Sequence, residues 1–166
     1  MTVFDTTAAP QAERAAALPE LFAARVRSAP DAVAVDGHGG QLTYAELADR
    51  AARFAARLTR LGVRAEDRVG LLLERSAELV VAELAIVMAG GVYVPLDRRA
   101  PDERSRLVLT SAKVSVLVTD EPERAARIHS GHVVVAGGSL PAPEAAPPRV
   151  DTDQLAYLMH TSGSTG

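Results

Sequence analysis

The sequence predicts an α/β domain: a mainly parallel sheet with helices on both faces. Short apolar runs such as Val69–Leu73 and Val114–Thr119 alternate with segments of helical periodicity, the rhythm of strand–helix–strand crossovers. The run Val114–Thr119 is largely β-branched, as expected of a strand covered on both faces. With 166 residues, 48% of them hydrophobic and 23% charged, the chain has the composition of a globular domain with its own core.

In chain order, residues 1–17 are polar and alanine-rich without an apolar segment, so they read as a loosely ordered lead-in and not as a secretory signal. Residues 18–166 read as the folded part. Leu18, Leu21, Phe22 and Val26 follow helical spacing, with Pro19 suited to a first turn and Pro30 ending the segment. Ala32–Asp36 and Gln41–Thr43, joined by Gly37-His38-Gly39-Gly40, predict a hairpin. Thr43-Tyr44-Ala45-Glu46 has the capping-box pattern. The helix it starts lines Tyr44, Leu47, Ala48, Ala51, Phe54, Ala55, Leu58 and Leu61 along one face and stops at Gly62. Arg50, Arg53, Arg57 and Arg60 lie off that face and intermix with Glu46 and Asp49, which reads as a solvated face more than a binding patch.

Val69–Leu73 predicts a buried strand, and Ser76 an N-cap for an apolar helix from Ala77 to about Ala89. Gly90-Gly91 ends that helix, Val92–Val94 forms a strand, and Pro95 closes it. Pro101, Asp102 and Glu103 suit a first helical turn running to about Thr110. After Val114–Thr119 come a weaker helix, Pro122–Ile128, and the strand His132–Ala136. Gly137–Arg149 has no periodicity and reads as an irregular surface connection.

Several function classes are disfavoured by composition. A net charge of −3 gives no reason to expect nucleic acid or an anionic membrane as partner. The longest apolar region, Leu79–Leu96, is interrupted by Glu83, Gly90, Gly91 and Pro95, so no membrane span is expected. Absence of Cys removes disulfides, thiolate ligands and a thiol nucleophile, and agrees with a cytoplasmic setting. The histidines His38, His129, His132 and His160 show no ligand spacing with acidic residues, so no metal site is expected in the segment.

The stretch Leu155–Gly166 is the most informative. Its first half, Leu155 to His160, reads as a buried strand, and its second half is Thr161-Ser162-Gly163-Ser164-Thr165-Gly166. Glycines let backbone N–H groups approach an anion, and hydroxyls add donors without bulk, so this loop suits a polyphosphate. A terminal Gly/Ser/Thr tail also serves as a plain linker. A Walker A loop is excluded, since that motif needs Gly-Lys-[Ser/Thr] and the chain's single lysine is Lys113.

Three segments in order carry a resemblance. Leu42-Thr43-Tyr44-Ala45-Glu46-Leu47, Val87-Met88-Ala89-Gly90-Gly91-Val92-Tyr93-Val94-Pro95-Leu96-Asp97 and Leu155–Gly166 resemble the first three core motifs of adenylate-forming (AMP-binding) enzymes. The branch they resemble is the amino-acid adenylation domain of nonribosomal peptide synthetases. Met88 stands where that family usually has Lys, and His160 where it has Tyr or Phe. The resemblance implies the N-terminal portion of the large subdomain, truncated within the phosphate-binding loop. It implies that Thr161, Ser162, Gly163, Ser164, Thr165 and Gly166 hold the β- and γ-phosphates of ATP with Mg2+. It also implies an amino-acid substrate, a peptidyl carrier protein with its phosphopantetheine arm, and the remainder of the adenylation domain as partners. By the same resemblance the catalytic lysine lies beyond Gly166, so no catalytic residue is expected in the segment and the chain alone is expected to be inactive. Asp97, just past a strand end, suits a turn or a functional role. An acyl-CoA or aryl-acid ligase of the same superfamily and a noncatalytic partner-binding remnant are the alternative readings.

Overall fold

The structure, a computed structural model, describes residues 16–37, 40–138, 140, 142 and 148–159. Along these residues run α1 (Leu18–Ser28), β1 (Val33–Gly37), β2 (Gly40–Thr43), α2 (Tyr44–Arg60), β3 (Arg68–Leu72) and α3 (Ala77–Met88). They continue with β4 (Val92–Pro95), α4 (Asp102–Ser111), β5 (Val116–Thr119), α5 (Pro122–Ile128) and β6 (His132–Val135). The lead-in expected over residues 1–17 lies almost wholly outside the described residues.

Local chemistry sets the element boundaries. The capping box forms: Thr43 Oγ1 accepts from the Glu46 N–H at 3.2 Å, and the Thr43 N–H donates to Glu46 Oε2 at 2.8 Å. That hydrogen bond holds the Glu46 carboxyl below its ordinary range. Ser76 Oγ accepts from the Leu79 N–H at 3.4 Å at the start of α3. Gly62 and Gly90, with φ of +96° and +81°, end α2 and α3 in a conformation that side chains resist.

β1 and β2 pair antiparallel as the expected hairpin. The main sheet is four-stranded and parallel in the order β4-β3-β5-β6. One face carries Val69, Leu71, Val116, Val118 and Val134 into a core with α2 and α3. The other turns Leu72 and Leu117 toward Leu109 of α4 and Ala125 and Ile128 of α5. Helices therefore cover both faces, as predicted. Gly70 leaves no room for a side chain: a Cβ there would lie 2.9 Å from a Leu117 methyl of β5 and 3.0 Å from a Leu109 methyl of α4. No described helix is long and apolar enough to cross a membrane.

The stretch 155–159 departs from the buried strand predicted for it. It lies parallel to β4 through one bridge, Tyr93 to Tyr157. The Tyr93 N–H donates to the Ala156 carbonyl at 3.1 Å, and the Leu158 N–H donates to the Tyr93 carbonyl at 3.0 Å. A second parallel pair would need a backbone N–H from residue 95. That residue is Pro95, which has none, so the ladder stops after one rung. Leu155, Tyr157 and Met159 are 51, 53 and 63% exposed, while Ala156 and Leu158 are half-buried. The segment is a one-sided edge.

Candidate functional site

The chain folds outward from β3. α3 carries it to β4 on one side, and α4 carries it back past β3 to β5 on the other. The carboxyl ends of β3 and β5 thus form the reversal point where doubly wound sheets usually take ligands. Here that crevice is filled. Arg98, from the β4–α4 loop, lies 3.0 Å from Asp120 Oδ2 and 2.7 Å from Glu121 Oε1, with Glu74 at 3.9 Å. Asp120 also accepts from the Glu74 N–H at 3.1 Å. Arg124, 12% exposed, donates to the carbonyls of Arg98 and Ala100 at 2.6 Å each and to Asp102 at 2.9 Å. The guanidinium of Arg124, and then that of Arg127, holds the Asp102 carboxyl below its usual range.

The outer side of β4 is different. Tyr93 and Tyr157 stack with ring centroids 5.6 Å apart at 27°. Glu83 of α3 is half-buried beside this edge, and desolvation raises its pKa. Desolvation, and then the Glu83 charge, raises that of the Tyr93 phenol.

The predicted phosphate-loop residues Thr161, Ser162, Gly163, Ser164, Thr165 and Gly166 lie outside the described residues, as does His160. The described chain reaches Met159 running parallel to β4, toward the carboxyl end of the sheet. Leu158 packs there against the cluster of Val94, Val108 and Ala112. Asp97, at the same end, accepts from the Arg99 N–H at 2.9 Å and makes the turn expected of it.

Of the clefts among the described residues, two lie beside the Gly137-Gly138 and β4–α4 loops. One, of ≈ 320 Å³, is bordered by Arg50, Arg53, Arg57 and Gly137-Gly138. Arg50 is paired with Glu78 at 2.9 Å, and Arg53 with Asp49 at 2.8 Å, so the arginine face read as solvated is partly tied down. The other, of ≈ 290 Å³, lies between the β4–α4 loop and α4, with Leu96, Asp97, Arg104, Ser105 and Val108 in its wall. Sequence reading passed over Ser105. Its signal was a polar residue on the stripe Ser105, Val108, Leu109 and Ala112, all buried in α4 or its cap. Among the described residues no group of three or more His, Asp or Glu side chains is placed to hold a metal.

Residues 22–166 match the AMP-binding enzyme family, and the chain belongs to it. More particularly, it resembles nonribosomal peptide synthetases, as the three motifs implied. It is 41% identical over 157 residues to malpinin synthetase of Mortierella alpina, covering 90% of this chain and 2% of that protein. To the AMB antimetabolite synthetase AmbB of Pseudomonas aeruginosa it is 39% identical over 153 residues, covering 90% of this chain and 12% of that protein. Its fold superposes on the AMPPNP-bound nonribosomal peptide synthetase FmoA3 with a TM-score of 0.81 and 36% identity, over 95% of this chain and 17% of that one. The N-terminal subdomain of Klebsiella oxytoca NpsA, in complex with 3-hydroxyanthranilyl-AMSN, matches with a TM-score of 0.75 and 29% identity, over 90% and 38%. The chain spans a small part of the length of the relatives it matches.

Proposed function

We propose that residues 18–166 are the N-terminal portion of an ATP-dependent amino-acid adenylation domain, acting in the cytoplasm within a larger synthetase. In that reaction a carboxylate oxygen of the substrate bonds to the α-phosphorus of ATP, and the α–β phosphoanhydride breaks. Acyl-AMP forms and pyrophosphate leaves. The thiol of a carrier protein's phosphopantetheine arm then takes the acyl group and AMP departs. Thr161–Gly166 serve as the loop that steadies the β- and γ-phosphates with Mg2+, through backbone N–H and hydroxyl donors. The remainder of the domain supplies the adenine contacts, the selectivity pocket and the catalytic lysine, so the segment alone has no adenylation activity.

The observation that carries this reading is the single parallel rung at Tyr93 and Tyr157. It supports the reading because residues 155–159 run parallel to β4, toward the end where parallel sheets take their ligands, and the Gly/Ser/Thr stretch follows in sequence. The test is amino-acid-dependent pyrophosphate exchange by a longer protein containing this segment. Thr161→Ala with Ser162→Ala is expected to lower it by about 100-fold, the scale of losing preorganised donors to a developing oxyanion. Unchanged turnover and nucleotide affinity would refute the loop's role. A second reading, an aryl-acid ligase, is favoured by the likeness to NpsA, whose complex holds an aryl-derived ligand. Exchange driven by aryl acids and not by amino acids would select it.

A further inference from the structure

The ≈ 290 Å³ cleft at the carboxyl end of β4 holds a polar group that the fold leaves unmet. Ser105 is 1% exposed, and its hydroxyl has no hydrogen-bond partner among the described residues. Buried hydroxyls are nearly always satisfied, and one that is not costs stability. A helical serine often relieves itself on the carbonyl one turn back. Here the carbonyl of Pro101 accepts the Ser105 backbone N–H at 3.1 Å, and the hydroxyl adds no bond to it. In the same wall, Arg104 makes no ion pair or hydrogen bond with the described residues. No side chain caps the first turn of α4, which begins beside Ala100 in that wall.

These groups offer donors. The acidic groups nearby are largely engaged: Asp97 Oδ1 accepts from Arg99, and Asp102 is held by Arg124 and Arg127. The second oxygen of Asp97 is the carboxylate oxygen of the wall that would oppose an anion. Leu96 and Val108 make the floor apolar, which strengthens a charge-assisted hydrogen bond made above it.

We propose that this cleft binds a phosphate-type oxyanion through the Ser105 hydroxyl and the Arg104 guanidinium. Inorganic phosphate, pyrophosphate and the tail of a nucleotide share the required chemistry, and separate titrations distinguish them. Leu158, three residues before Thr161 in sequence, packs against the cluster that includes Val108 of the same wall. The cleft therefore lies beside Leu158, and the assignment uses none of the proposed phosphate loop's residues.

The test is thermal denaturation and isothermal titration of the full 166-residue chain with inorganic pyrophosphate, orthophosphate and ATP. The wild-type Tm is expected to rise with at least one of them at millimolar concentration. Arg104→Ala is expected to weaken that ligand about tenfold, the loss of one charge-assisted contact. Ser105→Ala is expected to do two opposite things: raise the Tm without ligand, by removing an unsatisfied hydroxyl, and weaken binding about tenfold. Asp97→Asn is expected to tighten binding by removing a repulsive charge. No binding by the wild-type chain would overturn the proposal, as would binding that neither Arg104→Ala nor Ser105→Ala alters. If Thr161→Ala with Ser162→Ala abolishes binding while the two cleft variants retain it, the loop alone holds the anion. The cleft assignment then fails while the adenylation reading stands.

Discussion

At the carboxyl ends of β3 and β5, Arg98 lies within 3.0 Å of both Asp120 and Glu121, and Arg124 closes the loop above them with three further bonds. On the outer side of β4 and at the start of α4, Tyr157 stands half in solvent, and among the described residues Glu83 has no basic partner and the Ser105 hydroxyl no hydrogen-bond partner. Both regions belong to one sheet. In the first, Arg98, Arg124, Asp102, Asp120 and Glu121 have found complements within the chain, so the place where such sheets usually bind ligands has become a structural lock. In the second, the demands of polar and apolar groups are left open. Sites for other molecules belong where such demands remain, and in this fold that is the β4 edge.

Packing at the seam gives the largest predicted effect. Gly70→Val would drive a branched side chain into Leu117 and Leu109, whose methyls already stand at 2.9 and 3.0 Å from a Cβ position. Overpacking of this kind costs about 3 kcal/mol, read as a lower midpoint in urea unfolding with an unchanged slope. Arg124→Ala comes next. It leaves two loop carbonyls and Asp102 without their shared donor. The expected loss is about 2 kcal/mol, since the side chain is nearly buried and breaking such a group exposes several unmet acceptors. Values near zero for both variants would mean that the seam is no tighter than the edge.

Tyr157→Ala tests the edge in the same way and should cost less, about 0.5–1 kcal/mol, the range of a stacked aromatic pair. A loss matching that of Arg124→Ala would show the edge to be as consolidated as the seam.

The two regions also differed in how much the sequence disclosed. The parallel sheet, its helices, the Thr43 capping box and the Gly62 and Gly90 stops were legible because each rests on local periodicity or on one residue's backbone preference. The edge character of 155–159 was not. Its residues are apolar enough for an interior strand, and what limits its pairing is Pro95, distant in sequence and opposite only in space. The Arg98 and Arg124 network was hidden for the same reason, since its partners span residues 74 to 124. Ser105 was visible in principle as a polar interruption of a buried stripe. That its hydroxyl lacks a partner depends on tertiary packing, which no spacing encodes.

Acid titration separates seam from edge by sign rather than size, and its effects are the smallest. Asp102 has its pKa held down by Arg124 and Arg127. An acid with a lowered folded pKa contributes stability above its ordinary value of 3.8, and that contribution is lost as pH falls through the lowered one. Glu83 has its pKa raised by desolvation, so the folded state holds its proton more tightly than the unfolded chain does. Its effect is the reverse: stability falls as pH rises above the ordinary value of 4.5 and stays lower once the carboxyl is ionised. Half-exposure screens this charge, which keeps the effect below that of the packing variants. Urea unfolding from about pH 3 to pH 7 should therefore find Glu83→Gln more stable than wild type at neutral pH, with the advantage vanishing in acid. Asp102→Asn should be less stable at neutral pH, with its deficit shrinking as acid removes the same charge from the wild type. If the Glu83→Gln curve instead tracks the wild type at every pH, the carboxylate beside Tyr93 is fully hydrated. The β4 edge would then carry no unmet electrostatic demand at that point, and the case for it would rest on Ser105 alone.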